Sequence, residues 1–327
     1  MAKRARRRPQ KRRTSGRSLV LIAAAFAACA VAALIFALDT PSDPPRPVAA
    51  VRPASPLVAR PPAAPRDTAP ASRPTTTPSP SEPRYPPWLA NAAPATQPDG
   101  RPMIAVVIDD MGLSRSLSRR AAELRAPLTL SYLPYGEELP AQTAAARARG
   151  HELLVHLQMA PEAASRDAGP KALILGLPPA ELERRLDWAL SRFPGYVGAN
   201  NHMGSRFTAD EAGMSVVLSR LKVRGLLFLD SRTTPHTVGP HVARRIGLPF
   251  AERSVFLDNV ETEDAVRMQL AELEAAARSH GLAIAIGHPK EATIAALAPW
   301  LEKLSARGFQ LVPLSAIVRR NLVAERG

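Results

Sequence analysis

The sequence predicts an α/β fold in which parallel strands close into a (β/α) barrel. From Met103 to residue 320, short apolar runs alternate with longer stretches of helical periodicity, as in a parallel sheet with crossover helices. Seven or eight such repeats fit into about 220 residues, which favours a closed barrel over an open, doubly wound sheet. No glycine-rich phosphate loop follows the first apolar run, and this disfavours a nucleotide-binding fold.

Each element of this fold is predicted from its own apolar pattern. The strands are predicted at 103–109, 128–134, 152–159, 196–200, 226–231, 254–258, 283–288 and 310–314. The helices are predicted at 114–125, 137–149, 179–192, 210–223, 239–246, 261–280 and 291–307. The third helix is typical, because a proline stands at its start and Leu182, Leu186 and Leu190 recur on one face.

The residues before the barrel have two other compositions. Residues 1–17 hold nine basic and no acidic side chains, so removing them from the net charge of +14 leaves +5. Residues 18–38 carry no charge over 21 positions, and as a helix they span roughly 31 Å, the thickness of a bilayer core. The sequence therefore predicts a cytoplasmic tail and a single-pass inner-membrane anchor, with the remainder in the periplasm. The alternatives are a cleaved signal peptide and a buried core helix.

Residues 39–100 are rich in proline, alanine, serine and threonine and lack apolar periodicity. Such a segment cannot bury enough surface to offset its ordering entropy, so it is predicted to be a disordered, extended tether. The domain organisation that follows is tail 1–17, anchor 18–38, linker 39–100, barrel 101–320 and C-terminal tail 321–327. The basic residues adjoin a membrane segment, and nucleic acid is therefore not expected as a partner. Cys29, the only cysteine, lies in the anchor, which excludes an intrachain disulfide.

Polar side chains cluster where the predicted strands end. They are Asp109 and Asp110, His156, Asn200, Asn201 and His202, Asp230 and Ser231, and His288. In a barrel of parallel strands these ends converge on one face, where such folds carry their chemistry. Two histidines with one carboxylate are a common ligand set for a catalytic divalent metal, zinc or a similar ion.

Each of these residues also has a plainer interpretation. The two aspartates could cap the helix at 114–125, and His156 could be a satisfied core residue. His288 could merely end a strand before a proline turn. His202 lies in the sequence NNHMGS, whose asparagines and serine are the partners that a metal-bound imidazole needs.

Five blocks of sequence, in order, resemble the divergent polysaccharide deacetylase family of bacterial envelopes. They are IAVVIDDMG, GHELLVHLQMAP, GANNHMGSRF, LLFLDSRTT and IAIGHPK. The resemblance covers about 101–320 and implies a distorted (β/α) barrel of the polysaccharide deacetylase type. It also implies hydrolysis of an N- or O-acetyl group on an acetylated polysaccharide or peptidoglycan, assisted by a divalent metal.

The resemblance implies a role for several residues of this sequence. Asp109 matches the general base, Asp110 and His156 match metal ligands, and His288 looks like the general acid. The second histidine ligand of the wider polysaccharide deacetylase superfamily corresponds here to Ala160, which cannot bind a metal, and His202 is the candidate for the missing third ligand. Asp230 is predicted to orient His288 or a substrate hydroxyl. Substrate contacts are further predicted for Asn200, Asn201, Ser205 and Ser231.

Two other classes of function remain open at this level. The substitution at Ala160 allows a catalytically inactive envelope protein that binds a glycan or a protein partner in the barrel pocket. A glycoside hydrolase would need two carboxylates about 5–10 Å apart, and Asp109 with Asp230 is the pair available. That alternative leaves the histidines without a role.

Overall fold

A computed structural model of the chain describes residues 85–324. Nine strands and nine helices lie within these residues. The strands are β1 (Met103–Met111), β2 (Thr129–Tyr132), β3 (Glu152–Met159), β4 (Gly198–Met203), β5 (Leu227–Asp230), β6 (Phe250–Glu252), β7 (Val255–Phe256), β8 (Leu282–Gly287) and β9 (Gln310–Leu311). The helices are α1 (Pro87–Ala90), α2 (Arg115–Ala122), α3 (Leu139–Ala148), α4 (Pro179–Leu190), α5 (Glu211–Val223), α6 (Gly239–Ile246), α7 (Glu263–His280), α8 (Glu291–Lys303) and α9 (Leu314–Ala324).

All pairings in the sheet are parallel, as predicted, but the sheet is a curled half-barrel and not the closed barrel expected. The strand order is β6-β5-β4-β3-β2-β1-β8-β7, and β9 pairs with the first residues of β1. The edge strands β6 and β7 are separated by only Arg253 and Ser254, and no ladder joins them within 85–324. One broken strand thus pairs first with β5 and then with β8, and the prediction at 254–258 had recognised only its second half.

Alternate residues of each strand enter two separate hydrophobic cores. In β1, the even-numbered Ile104, Val106 and Ile108 pack in the larger core with the surrounding helices. The odd-numbered residues enter the smaller, inner core. Its members include Met103, Ala105 and Val107 of β1, Leu154 of β3, Leu227 and Leu229 of β5, and Ile284 and Ile286 of β8. This period of two decides which side chains at the strand ends face the interior of the curl.

The inner core is covered at the amino ends of the strands by two helices near the ends of the described chain, α1 before the first strand and α9 after the last. Trp88 of α1 is buried in it, as are Ile317 and Val318 of α9. Trp88 and Ala93 are buried although they precede the boundary predicted at 101, and α9 continues to Ala324, beyond the boundary predicted at 320. The predicted strand 310–314 is shorter, because α9 already begins at Leu314.

The predicted tail 1–17 and anchor 18–38 lie outside the described residues. Within 85–324, no helix combines the length and the apolar character that crossing a membrane requires. Helix α2 is capped by Ser114, whose side chain accepts a hydrogen bond from the Leu117 amide. The aspartates at the end of β1 are therefore not helix caps and are available for another role.

Candidate metal-binding active site

The end of β1 directs two consecutive aspartates toward one site. Asp109 continues the inward row of Ala105 and Val107, so its side chain faces the interior of the curl. Asp110 would face outward in a regular strand, but the register with β2 shifts between Ile108 and Met111. Its backbone is left-handed, with φ of 54°, a conformation that aspartate tolerates better than most residues. The bulge re-aims the Asp110 side chain, as bulges beside active sites often do.

Three ligand atoms converge at this point. Oδ1 of Asp110 lies 2.8 Å from Nδ1 of His202 and 3.2 Å from Nε2 of His156. The three residues are the one group of histidine and carboxylate side chains within 85–324 whose ligand atoms all lie within 4.8 Å of one another. They are the residues that the sequence analysis proposed as metal ligands.

The same Oδ1 of Asp110 is buried and accepts no hydrogen bond of acceptable geometry from any described residue, although two imidazole nitrogens are close to it. A buried carboxylate oxygen without a hydrogen bond is costly unless something else satisfies it. Burial by itself raises the pKa of Asp110, but His156 and His202 together hold this pKa far below its usual range. An ionised carboxylate oxygen without a hydrogen bond, close to two imidazole nitrogens, fits a divalent cation.

Asn200 determines which nitrogen of His156 faces the cluster. The Asn200 amide donates to Oδ1 of Asp109 at 2.8 Å, so its own oxygen is the acceptor for Nδ1 of His156 at 2.9 Å. Ser131 also donates to that oxygen at 2.6 Å. Nδ1 of His156 therefore carries a proton, which leaves Nε2, the nitrogen that faces Asp110, as the atom able to ligate a metal.

Asp109 is 2% exposed and lies beside the cluster, with Oδ2 3.6 Å from Nε2 of His156. Burial raises the pKa of Asp109, although the charges of His156 and His288 and the hydrogen bond from Asn200 oppose the rise. Its Oδ1 is already held by Asn200, which leaves Oδ2 as the atom able to accept a proton.

His288 faces the cluster from the end of β8 and is held by a carboxylate that the sequence analysis missed. Nε2 of His288 lies 3.8 Å from Oδ2 of Asp110, while Nδ1 lies 2.9 Å from Oδ1 of Asp258. Asp258 also accepts hydrogen bonds from the His288 amide at 2.7 Å and from Thr293 at 2.8 Å. Burial alone lowers the pKa of His288, but Asp258 raises it overall, so the imidazolium form is favoured.

These residues lie in an open cleft of about 1580 Å³. Of the predicted substrate contacts, Asn201, Ser205 and Ser231 line it. Each is also engaged in the framework: Asn201 accepts from the Ser231 amide at 2.9 Å, and Ser205 accepts from the Glu162 amide at 2.8 Å. They are therefore rigidly placed at the cleft surface.

Two of the predicted substrate contacts need correction. Asn200 and Asp230 have no exposed surface and do not line the cleft. Asn200 acts below the surface, on His156 and Asp109. Asp230 belongs to the outward row of β5, where it accepts hydrogen bonds from the Arg232 amide at 2.8 Å and from Thr237 at 2.6 Å. It therefore neither orients His288 nor pairs with Asp109 across a glycosidic bond, and the glycoside hydrolase alternative loses its second carboxylate.

Ala160, at the position where the family pattern has a histidine, supports the cluster through its backbone. Its carbonyl accepts hydrogen bonds from the amides of Arg206 and Phe207 at 3.2 and 3.1 Å, just after His202. The neighbouring strand β4 pairs His202 with Gln158 of β3, so His202 lies beside the end of β3. The third donor thus comes from the adjacent strand.

Residues 106–318 match the family model described as divergent polysaccharide deacetylase. An uncharacterized protein of Haemophilus influenzae is 33% identical over 222 residues, which cover 67% of this chain and 78% of that protein. The uncharacterized protein YibQ of Escherichia coli K12 is 34% identical over 194 residues, 59% of this chain and 60% of its own length. The crystal structure of uncharacterized protein ATU2773 from Agrobacterium tumefaciens superposes with a TM-score of 0.69 at 30% identity, covering 71% of this chain and 95% of that one. The chain belongs to the divergent polysaccharide deacetylase family.

Proposed function

We propose that this protein removes acetyl groups from a carbohydrate by metal-assisted hydrolysis. The observation that carries the proposal is the arrangement around Asp110, whose orphaned oxygen lies between two imidazole nitrogens. A buried carboxylate and a carboxylate-held imidazole flank this cluster within one open cleft. A ligand set, a base and an acid are the parts that hydrolysis of an amide or ester needs.

Asp110, His156 and His202 would hold the divalent cation, and zinc is the ion proposed because nitrogen and oxygen donors of this kind suit it. A cation bound there would supply Lewis acidity, which polarises an acyl carbonyl and makes water more acidic.

Asp109 is proposed as the general base. Its Oδ2 is the oxygen not engaged by Asn200, and burial raises its pKa toward the range where a carboxylate accepts protons effectively. As water attacks the acetyl carbonyl, Oδ2 takes the proton that the water loses.

His288 is proposed as the general acid. Asp258 holds Nδ1, so the proton to be donated is on Nε2, which faces the cluster. As the bond between the acetyl carbon and the sugar nitrogen or oxygen breaks, Nε2 delivers its proton to the departing atom. Acetate and a free amine or hydroxyl result, and the proton taken up by Asp109 balances the one given by His288.

The substrate proposed is an acetylated envelope polysaccharide or peptidoglycan, which the family membership and the open form of the cleft support. We further propose a single-pass inner-membrane anchor at residues 18–38, with the catalytic domain in the periplasm. The uncharged run behind nine basic residues supports this location. A reporter fused after Gly327 that is active only in the cytoplasm would contradict it.

The alternative is an inactive protein that binds a glycan or a protein partner in the same cleft. This alternative is based on the missing metal ligand at Ala160. The argument is weakened because His202 supplies a nitrogen donor to the cluster. The two functions differ in whether the cleft turns substrate over.

Two variants of the full chain test the catalytic proposal. Asp109→Asn should keep its metal content and lose about 10²–10⁴-fold in rate, since that is the usual contribution of a general base. His288→Ala should lose rate chiefly on N-acetyl substrates and less on an activated acetyl ester, whose leaving group needs no proton. If the zinc-loaded wild type releases no acetate from any acetylated glycan, the binding function is preferred.

A further inference from the structure

A smaller cavity of about 470 Å³ adjoins the cleft on the side of the β3–α4 connection. Pro161, Ala163 and Arg166 line both the cleft and this cavity, so the two adjoin along that connection. We call it the side cavity. It is lined by the residues that follow β3, by Arg206 from the turn after β4, and by Arg185 of α4.

The charges around the side cavity are strongly unbalanced. Its lining holds four basic side chains and one acidic side chain: Arg166, Lys171, Arg185, Arg206 and Asp167. Arg185 is compensated by Glu181, at 2.7 Å, and Oδ1 of Asp167 accepts from the Gly169 amide at 2.8 Å. Within residues 85–324, the side chains of Arg166 and Arg206 form no ion pair and donate no hydrogen bond. Their ten N–H donors have only water to bind.

The backbone segments that carry these two arginines are attached to the framework that holds the metal-binding cluster, and both side chains are exposed. The Arg206 amide donates to the Ala160 carbonyl at 3.2 Å, and Arg206 is four residues beyond His202. The segment that carries Arg166 is held at both ends by backbone hydrogen bonds. The Ala160 amide donates to the Leu173 carbonyl, and the Leu173 amide donates to the Gln158 carbonyl. Ser205 further joins the two segments by accepting from the Glu162 amide.

We infer that the side cavity binds an anionic group, a carboxylate or a phosphate, carried by the carbohydrate whose acetyl group lies at Asp110, His156 and His202. This inference rests on the proposed function and narrows its substrate to anionic glycans. Exposed guanidinium groups without protein partners, on segments that adjoin the proposed reaction centre, are suited to bidentate recognition of such anions. Because the cleft and the side cavity adjoin at three shared residues, one sugar chain can extend from one to the other.

Binding can be tested without turnover, on the full chain kept free of zinc. Calorimetry should give a lower Kd for a hyaluronan tetrasaccharide, which carries carboxylates, than for neutral, fully N-acetylated chitotetraose. Arg166→Ala and Arg206→Ala should each raise the Kd for hyaluronan by about tenfold, since a hydrogen bond to a charged group is worth about that factor. The Kd for chitotetraose should change little. Inorganic phosphate should compete with hyaluronan, and a failure to compete would exclude a phosphate as the anion bound in the side cavity.

Arg149→Ala is the matched control, because this exposed arginine precedes β3 at the opposite end of the strand and forms no ion pair within the described chain. It removes the same charge and should leave both Kd values unchanged. Equal affinities for the two oligosaccharides, or an equal loss in the Arg149 control, would overturn the inference. These experiments measure binding and not acetate release. If the side cavity selects the anionic oligosaccharide but the cleft releases no acetate, only the proposed catalysis is contradicted.

Discussion

Asp109 and Asp110 are neighbours in sequence with opposite electrostatic situations. Burial dominates at Asp109 and raises its pKa, whereas the imidazoles around Asp110 hold its pKa low. An ionised ligand and a proton acceptor can therefore stand side by side. The separation depends on the left-handed backbone at Asp110, because a regular strand would direct the second carboxylate away from the histidines.

His202→Ala should abolish stoichiometric zinc binding while the domain remains folded. Zinc at a hundred times its Kd stabilises a folded protein by about 2.7 kcal/mol, and the variant should lose most of that shift in thermal unfolding. His280→Ala is the control, because His280 is exposed at the far end of α7. Undiminished zinc content in His202→Ala would mean that this histidine has another role.

Asp258→Asn should lower the rate on N-acetyl substrates by about 10²-fold, with zinc content unchanged. The new amide would present a donor to groups that now donate to the carboxylate, and the imidazolium of His288 would lose its counter-charge. Asp264→Asn, at a carboxylate that is 91% exposed, should have the wild-type rate. A wild-type rate in Asp258→Asn would remove His288 from the mechanism.

At the residue scale, the sequence identified the groups that meet at the site but not all of their partners. The convergence of strand ends grouped Asp110, His156 and His202 with other polar residues, and the resemblance to the deacetylases implied their role as ligands. The role of Asp258 could not be predicted. Its position is typical of a strand end, and its partner His288 is 30 residues away in the sequence. Asp230 was misplaced because the two-residue period puts it on the outer face of β5.

At the scale of elements, the strand ends at this edge share an unusual backbone. A residue with positive φ lies at or near the end of three strands: Asp110 at 54° in β1, Met203 at 52° in β4 and Arg232 at 49° just after β5. Such conformations cost energy and persist where surrounding contacts enforce them, often at functional sites. Local sequence does not reveal them, since only aspartate among the three is common in this region.

Gly204→Ala should destabilise the domain by about 1–3 kcal/mol and weaken zinc binding. Gly204 has a φ of +88°, and an added Cβ would lie 2.8 Å from Cβ of Met159, so the turn after His202 would have to move. Gly308→Ala separates the two causes, because Gly308 has the same φ of +88° with nothing within 4 Å. Urea unfolding should show a smaller loss for Gly308→Ala, and its zinc affinity should be that of the wild type. Equal effects of the two variants would exclude the contact with Met159 as the cause.

At the scale of the whole molecule, the alternation of apolar runs was sufficient to predict a parallel α/β fold and most element positions. It wrongly predicted a closed barrel, because it did not show that the strand near 254–258 is broken into β6, only three residues long, and β7. The closing contacts of the inner core were missed for a related reason. Trp88 follows a proline-rich stretch, so its composition placed it in the linker. Helix α9 begins three residues after β9, so its first residue was included in the predicted strand.

Glu152 joins these late-recognised segments to the sheet. It is fully buried and accepts hydrogen bonds from the Ala93 amide at 3.3 Å, the Ser315 amide at 3.0 Å and Thr129 at 3.3 Å, as well as from the Ser315 hydroxyl. The segment after α1, the first turn of α9 and strand β2 thus meet at one carboxylate. Burial raises the pKa of Glu152 above its ordinary value of 4.5, although these hydrogen bonds oppose the rise.

The raised pKa of Glu152 predicts the pH dependence of stability. A carboxyl group whose pKa is higher in the folded than in the unfolded state favours folding when protonated, so its contribution is complete below pH 4.5 and is lost as the pH rises through the folded pKa. The free energy of unfolding of wild type minus that of Glu152→Gln should therefore increase as the pH falls from 7.5 toward 5. Taking this difference cancels the contributions of the other titrating carboxylates, Asp109 and Asp230 included.

In the variant, one N–H donor of the new amide would face the Ala93 and Ser315 donors. This lowers the free energy of unfolding by about 1–3 kcal/mol relative to a wild type whose carboxyl is protonated. Urea midpoints across this range measure the trend, and a difference that shrinks toward low pH would show that the hydrogen bonds outweigh burial at Glu152.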